Sequence, residues 1–161
     1  MSRRLVHELT YDAPAADVAA MLADPLFRQA VCDFQGVLRS DISIAELTDG
    51  HAEIVIDQWQ STSGIPSFAK KIVGDETNVV QTESWSTPHL ADVVVTIPGK
   101  PGDMRGTAAL SESGDTTTET VDLTSKVGLP LVGGKIEALI AEMLVAALKA
   151  ENKVGRDYLS R

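Results

Sequence analysis

The sequence has one cysteine, Cys32, in 161 residues, so no internal disulfide can form and burial alone must hold the fold. At this length that suffices, because folding hides most of the surface that the unfolded chain exposes. Basic residues are outnumbered, 14 against 23 acidic, for a net charge of -9. They form no stripe or run. A phosphate-rich partner needs clustered cations, so DNA and RNA are excluded as ligands, and the same deficit opposes docking on an anionic membrane. Long apolar runs are also missing. The stretch from Ala138 to Ala150 is broken by Glu142 and Lys149 and is too short to cross a bilayer. The opening MSRRLVHELTYDAP carries no apolar core of a signal peptide. No repeat, low-complexity tract or linker divides the chain. These absences predict one cytoplasmic domain over residues 1–161, without membrane insertion.

Motifs for common chemistries are missing too. His7, His51 and His89 show neither HxxxH nor HExxH spacing, and a metal site would need ligands brought from afar. No GxSxG elbow is present, and Cys32 has no nucleophile signature around it. Neither a metal nor a cofactor is expected, and Cys32 reads as a small buried hydrophobe.

What is present is strand after strand. Arg4 to Tyr11 alternates with the period of a strand. Asp12-Ala-Pro then breaks the pattern, and Pro14 suits the start of a helix over Ala15 to Ala23. Asp24-Pro25 restarts the chain into a second short helix that reaches roughly Phe34, with Asp24 as its cap and Gly36 as its end. Strands follow over Val37–Leu47 and His51–Gln60, with Asp49-Gly50 as a hairpin signal between them. After a loop from Ser61 to Pro66, Ser67 to Val73 reads as one helical turn. Four more strands are expected over Val79–Trp85, Ala91–Ile97, Met104–Glu112 and Thr116–Val127. The ending is helical. Ile136, Leu139, Ile140, Met143, Leu144, Ala147 and Leu148 recur at three and four, one apolar stripe expected to be buried against the sheet.

The segment GLPLVGGKIEAL, Gly128 to Leu139, looks at first like a phosphate loop. Gly128 and Gly133 have the right spacing, but Gly134 stands where that loop has its lysine, and Ile136 where it has a hydroxyl. Successive strands also leave no βαβ unit to carry such a loop. Gly133-Gly134 therefore reads as the turn that launches the last helix.

One strand, two short helices, six strands and a long amphipathic helix describe an antiparallel sheet that buries one face on a single helix. Particular segments carry a resemblance. YDAPAADVAAMLADPLFRQAV resembles the opening of the START and polyketide-cyclase-like (SRPBCC) superfamily. TESWS with ADVVVTIPG resembles its mid-sheet strands, and LPLVGGKIEALI the start of its closing helix. The likeness covers essentially the whole chain and points to an uncharacterised bacterial branch. It implies an α+β helix-grip fold, a seven-stranded antiparallel sheet wrapped around the C-terminal helix with a cavity between them. The function so implied is reversible binding of a small hydrophobic molecule: a lipid, a polyketide or an isoprenoid-like compound. The same superfamily also holds cyclases and hydrolases, in which a cavity carboxylate would act, and ligand-free interaction modules.

Two strands offer polar side chains to such a cavity. Glu53, Val55, Asp57 and Trp59 share one face, and alternation is cleaner with Ala52, Ile54 and Ile56 inward instead. Val79, Gln81, Glu83 and Trp85 share another face, more apolar than Val80, Thr82 and Ser84, and it reads as inward. The candidate ligand-contacting residues are Trp59, Gln81, Glu83, Trp85, Val95, Met143, Leu144 and Ala147. A buried Glu83 or Asp57 could serve as a general base. Tyr11 reads as core with its hydroxyl at the rim, and Arg105 as part of a solvated salt bridge. Glu151 lies one turn past Leu148 on the apolar stripe, and reads as solvated at an exposed helix end; if buried, it would need a partner such as a strand arginine.

Overall fold

The computed structural model describes residues 2–161, with Asp49 described by its backbone alone. Strand β1 (Ser2–Tyr11) leads into helices α1 (Ala15–Leu22) and α2 (Pro25–Gln35). Strands β2 (Arg39–Glu46) and β3 (Ala52–Ser61) follow, then α3 (Ser67–Val73). Strands β4 (Glu76–Thr87), β5 (Leu90–Thr96), β6 (Asp103–Ser113) and β7 (Thr116–Lys126) precede the closing helix α4 (Gly133–Leu159). The strands form one seven-stranded sheet in the order β1-β7-β6-β5-β4-β3-β2. Every pairing is antiparallel. Only β1 pairs with a strand distant in sequence, running from Ser2 opposite Lys126 to Tyr11 opposite Thr117. Because β1 and β2 occupy opposite edges, α1 and α2 must carry the chain from one side of the sheet to the other.

The expected order of elements and the two short helices are all present. At the head of α2 the Asp24 carboxylate accepts the Leu26 N–H at 2.9 Å, with Pro25 at the first helical position. The second Asp24 oxygen accepts the Tyr158 hydroxyl at 2.5 Å, which ties the end of α4 to the start of α2. Strands β2 and β3 are joined through a single 3-10 turn over Thr48–Gly50, wider than the two-residue turn read from Asp49-Gly50.

Val127, Glu137 and Gly133 fix where α4 starts. The buried Glu137 carboxylate accepts the Val127 N–H at 2.8 Å, and a Cβ on Gly133 would lie 2.6 Å from the Val127 carbonyl oxygen. The GLPLVGG segment is thus a turn that brings α4 hard against the end of β7. From there α4 runs 27 residues, about 40 Å at 1.5 Å per residue, packing on β1, β7 and α2.

The apolar stripe of α4 departs from expectation. None of Ile136, Leu139, Ile140, Met143, Leu144, Ala147 and Leu148 is fully buried, and Met143 is 38% exposed. The helix meets the sheet at its β1–β7 side, and the stripe faces a gap above the remaining strands. The close-packed core lies elsewhere, in Leu9, Tyr11, Val18, Met21, Leu22, Phe27 and Ile54. The C-terminal half of α4 does reach that core: Tyr158 packs edge-on against Phe27, and Gly155 sits so close that an added Cβ would lie 2.6 Å from the Tyr11 ring and 3.1 Å from the Met21 methyl.

The two helix glycines should therefore respond oppositely to one methyl group. Gly155→Ala overpacks a filled contact and should destabilise the fold by about 1–3 kcal/mol. Gly134→Ala meets nothing within 4 Å and should be neutral or stabilising by up to ~1 kcal/mol. Equal denaturation midpoints for the two variants would show that α4 is not seated as described.

Candidate functional site

The gap between α4 and the sheet is a cavity of about 610 Å³. One wall is the inner face of β3 to β7, the other the stripe of α4, with α2 and α3 closing its sides. Alternation dictates which strand residues reach it. On β4 every second residue points in, so Thr77, Val79, Gln81 and Glu83 line the cavity, as do Ile56 and Gln58 on β3. On β7 the inward phase is Glu119, Val121 and Leu123.

Among these apolar walls stands a buried cluster of charge. Arg28, 2% exposed, projects from the first turns of α2. Its Nε donates to the Leu22 carbonyl at 2.8 Å, one of the carbonyls left free at the end of α1. Its Nη2 donates to Glu83 Oε1 at 2.8 Å, and its Nη1 to Glu83 Oε2 at 3.2 Å and Glu151 Oε1 at 3.1 Å. Glu83 is saturated, because Oε1 also accepts the Trp85 indole N–H at 3.0 Å and Oε2 accepts Gln81 Nε2 at 2.5 Å. Glu119 is different. It is 4% exposed, lines the cavity, and its Oε1 has no hydrogen-bond partner among the described residues.

Three carboxyl groups thus share one guanidinium. Burial pushes the Glu119 carboxyl well above its ordinary range, Glu151 and Glu83 push it further, and Arg28 only partly opposes them. Burial likewise raises Glu151 to about 7, against the pull of Arg28 and with a further push from Glu83. Tyr11 sits on the same face of the sheet, in the strand paired with that of Glu119. Burial and the neighbouring Glu151 raise its phenol, and its hydroxyl is buried without a partner rather than held at a rim.

The candidate residues separate into three groups. Gln81, Glu83, Val95, Met143, Leu144 and Ala147 all line the cavity. Trp85 is on the inward face but packs beside it, lining a smaller pocket of about 330 Å³ with Leu22 and Ile54. Trp59 does not belong with the others. Ile54, Ile56 and Gln58 take the inward phase of β3, so Trp59 lies on the outer face, 37% exposed, with the Arg39 guanidinium 5.0 Å from its ring centroid. Asp57 shares that outer phase and accepts Asn78 Nδ2 at 2.6 Å, which removes it as a cavity base. Glu83 is also no free base, since each of its oxygens already accepts two hydrogen bonds. Glu151 is not solvated: its side chain is 12% exposed and its partner comes from a helix rather than a strand. Cys32 is buried in the cavity wall, and Arg105 makes an exposed ion pair with Asp103.

Sequence reasoning missed Arg28 and Glu119, and each had a signal. Arg28 lies in the first turns of a helix, where the dipole disfavours a cation, and shares a face with Val31 and Cys32. Glu119 is two residues from Val121 and four from Leu123, in phase with the apolar side of its strand.

The charge excess has a consequence for stability. Glu151 rises from 4.5 unfolded to about 7 folded, so the native state holds its proton more tightly than the unfolded chain. Its contribution is most favourable below the unfolded value and is lost as pH rises through the folded one; Glu119 acts in the same direction. The melting temperature should fall between about pH 5 and about pH 8, and Glu151→Gln, which keeps an acceptor for Arg28, should flatten that fall. An unchanged slope in the variant would contradict the assignment.

Solved structures with this architecture place the fold. TTHA0849 from Thermus thermophilus superposes with a TM-score of 0.66 at 15% identity, covering 95% of this chain and 97% of that one. Norcoclaurine synthase from Thalictrum flavum superposes with a TM-score of 0.64 at 17% identity, covering 100% and 88%. The fold is therefore the helix-grip architecture that these solved structures share. Among curated sequences, uncharacterized proteins of Mycobacterium tuberculosis and Mycobacterium bovis are 29% identical over 112 residues. That match spans 65% of this chain and 64% of the relatives' length. A family model matches residues 6–159, nearly the whole chain, which therefore belongs to the family described as protein of unknown function DUF2505.

Proposed function

We propose that the chain binds a small, largely apolar molecule in the cavity between α4 and the sheet. The observation that carries this reading is the α4 stripe, whose seven apolar side chains all line a space of about 610 Å³ and none of which is fully buried. A stripe evolved only for stability would be packed to the density of a core. The volume is that of a typical small-molecule site, and apolar walls with a few convergent polar groups are how such sites are built. Proteins of the same fold support it: the norcoclaurine synthase structure has been solved with dopamine and hydroxybenzaldehyde, and BexL is a di-domain ARO/CYC protein of a biosynthetic pathway.

A second reading, catalysis by a cavity carboxyl, has one observation in its favour. Glu119 lines the cavity and has a buried carboxyl oxygen without a partner among the described residues, whereas Glu83 does not. Catalysis would then run through Glu119 as proton donor to a bound molecule.

The binding reading is tested by filling the space. N-phenyl-1-naphthylamine, an uncharged apolar fluorophore, should bind with a blue shift in emission. Ala147→Trp, which projects an indole from α4 into the void, should weaken that binding by about tenfold or more, equal to about 1.4 kcal/mol, while still melting cooperatively. Trp59→Phe, on the outer face, should leave it unchanged. Equal affinity in wild type and a folded Ala147→Trp would place the probe elsewhere and refute the proposal.

A further inference from the structure

Glu119 is a buried polar group that the fold leaves without a partner. Its neighbours account for one another: Arg28 is engaged by Leu22, Glu83 and Glu151, and both oxygens of Glu83 are occupied. Buried side-chain oxygens are nearly always hydrogen-bonded, and leaving one bare costs the full desolvation of the group. Glu119 is part of the cavity wall, and its bare oxygen is itself buried, so a bound molecule would engage it after a turn of the carboxyl. We propose that the Glu119 carboxyl donates a hydrogen bond to a neutral oxygen of the ligand, which makes the ligand an apolar molecule bearing a carbonyl group. This rests on the cavity being the binding site, and it names both the residue that reads the ligand and the chemistry it reads.

The charges around Glu119 select among ligand classes. Facing it are Arg28 from α2, Glu83 from β4, Glu151 from α4 and the Tyr11 phenol from β1. A carboxylate ligand would bring a fourth acid to a cluster with a single guanidinium. An ammonium would be drawn by the acid excess around Arg28 but would have to shed its water among apolar walls, and the aminomethyl form below tests it directly. A carbonyl adds no charge, and it supplies the acceptor that an un-ionised carboxyl lacks. Burial and the neighbouring Glu151 and Glu83 raise the titration of Glu119, which favours the donor form. Tyr11 does not substitute for it, because Tyr11 is not part of the cavity lining.

The test uses one fluorophore in four forms: dimethylaminonaphthalene bearing an acyl ketone, the same ring without the acyl group, the same ring with a carboxylate, and the same ring with an aminomethyl group. In the wild-type protein the ketone should bind about tenfold tighter than the unacylated parent, with the red shift in emission that hydrogen bonding to its carbonyl produces. The preference should shrink as pH rises from mildly acid to alkaline, because an ionised Glu119 can no longer donate. Glu119→Leu, which removes a buried polar group and keeps the volume apolar, should still melt cooperatively, bind the ketone no better than the parent and show no red shift. Glu119→Gln retains an N–H donor and should keep part of the preference with no pH dependence. A ketone that binds no better than its parent, or a preference that survives Glu119→Leu, would overturn the proposal. So would a preference for the carboxylate or for the amine, the latter strengthening as pH rises. Failure of all four forms to bind would instead remove the cavity reading, and this inference with it.

Discussion

Arg28 is held at once by three other elements of the fold: the last carbonyl of α1, a carboxylate of β4 and a carboxylate of α4. A guanidinium suits that role because its donors lie in a fixed planar fork and it stays charged even when buried. Breaking a buried ion pair by removing one partner is strongly destabilising, roughly 3–5 kcal/mol, since the other charge is left without compensation. The helices that cross between the two edges of the sheet are thereby locked to the sheet and to α4 by one side chain. Apart from that lock, α4 is held by packing on β1, β7, α1 and α2 and by the Tyr158 hydroxyl on Asp24.

The lock has its own chemical consequence. One guanidinium faces three buried carboxyl groups, so burial and their mutual repulsion favour protonation within the cluster. Glu83, with four hydrogen bonds, is the carboxylate that Arg28 holds by both of its oxygens. Glu151 is raised to about 7, and burial raises Glu119 well above its ordinary range. The same side chains that close the fold thus favour a proton on an acid at the wall of an apolar cavity. Structure and candidate chemistry share a single charge count.

How far the sequence spoke depends on whether a residue's setting is local. Alternation along β4 was enough to turn Gln81 and Glu83 inward. Trp59 counts among the expected ligand contacts although Ile54 and Ile56 hold the inward phase of its strand, and the structure places it on the outer face. Asp24-Pro25 announced a helix start through chemistry confined to a few residues. The stripe of α4 was legible as apolar but not as unpacked, because periodicity reports which face avoids water and not whether protein fills the space beyond it. Glu151 shows the same limit. Its burial depends on Arg28, which is 123 positions away in the chain, and no spacing within α4 could reveal that partner. Trp85 was placed on the correct face, yet its indole turns to Glu83 and a neighbouring pocket, a choice set by packing against Leu22 and Ile54.

The central claim is that one carboxyl of the cluster carries a proton at neutral pH, and that it belongs to Glu119. Infrared spectroscopy of the protein in heavy water detects this directly, because a protonated carboxyl has a C=O stretch well separated from ionised carboxylate bands. The account predicts such a band at neutral pH in the wild-type protein, present in Glu53→Gln, which alters an exposed carboxylate, and absent in Glu119→Gln. A spectrum with no protonated-carboxyl band at neutral pH, or one whose band survives Glu119→Gln, would contradict it.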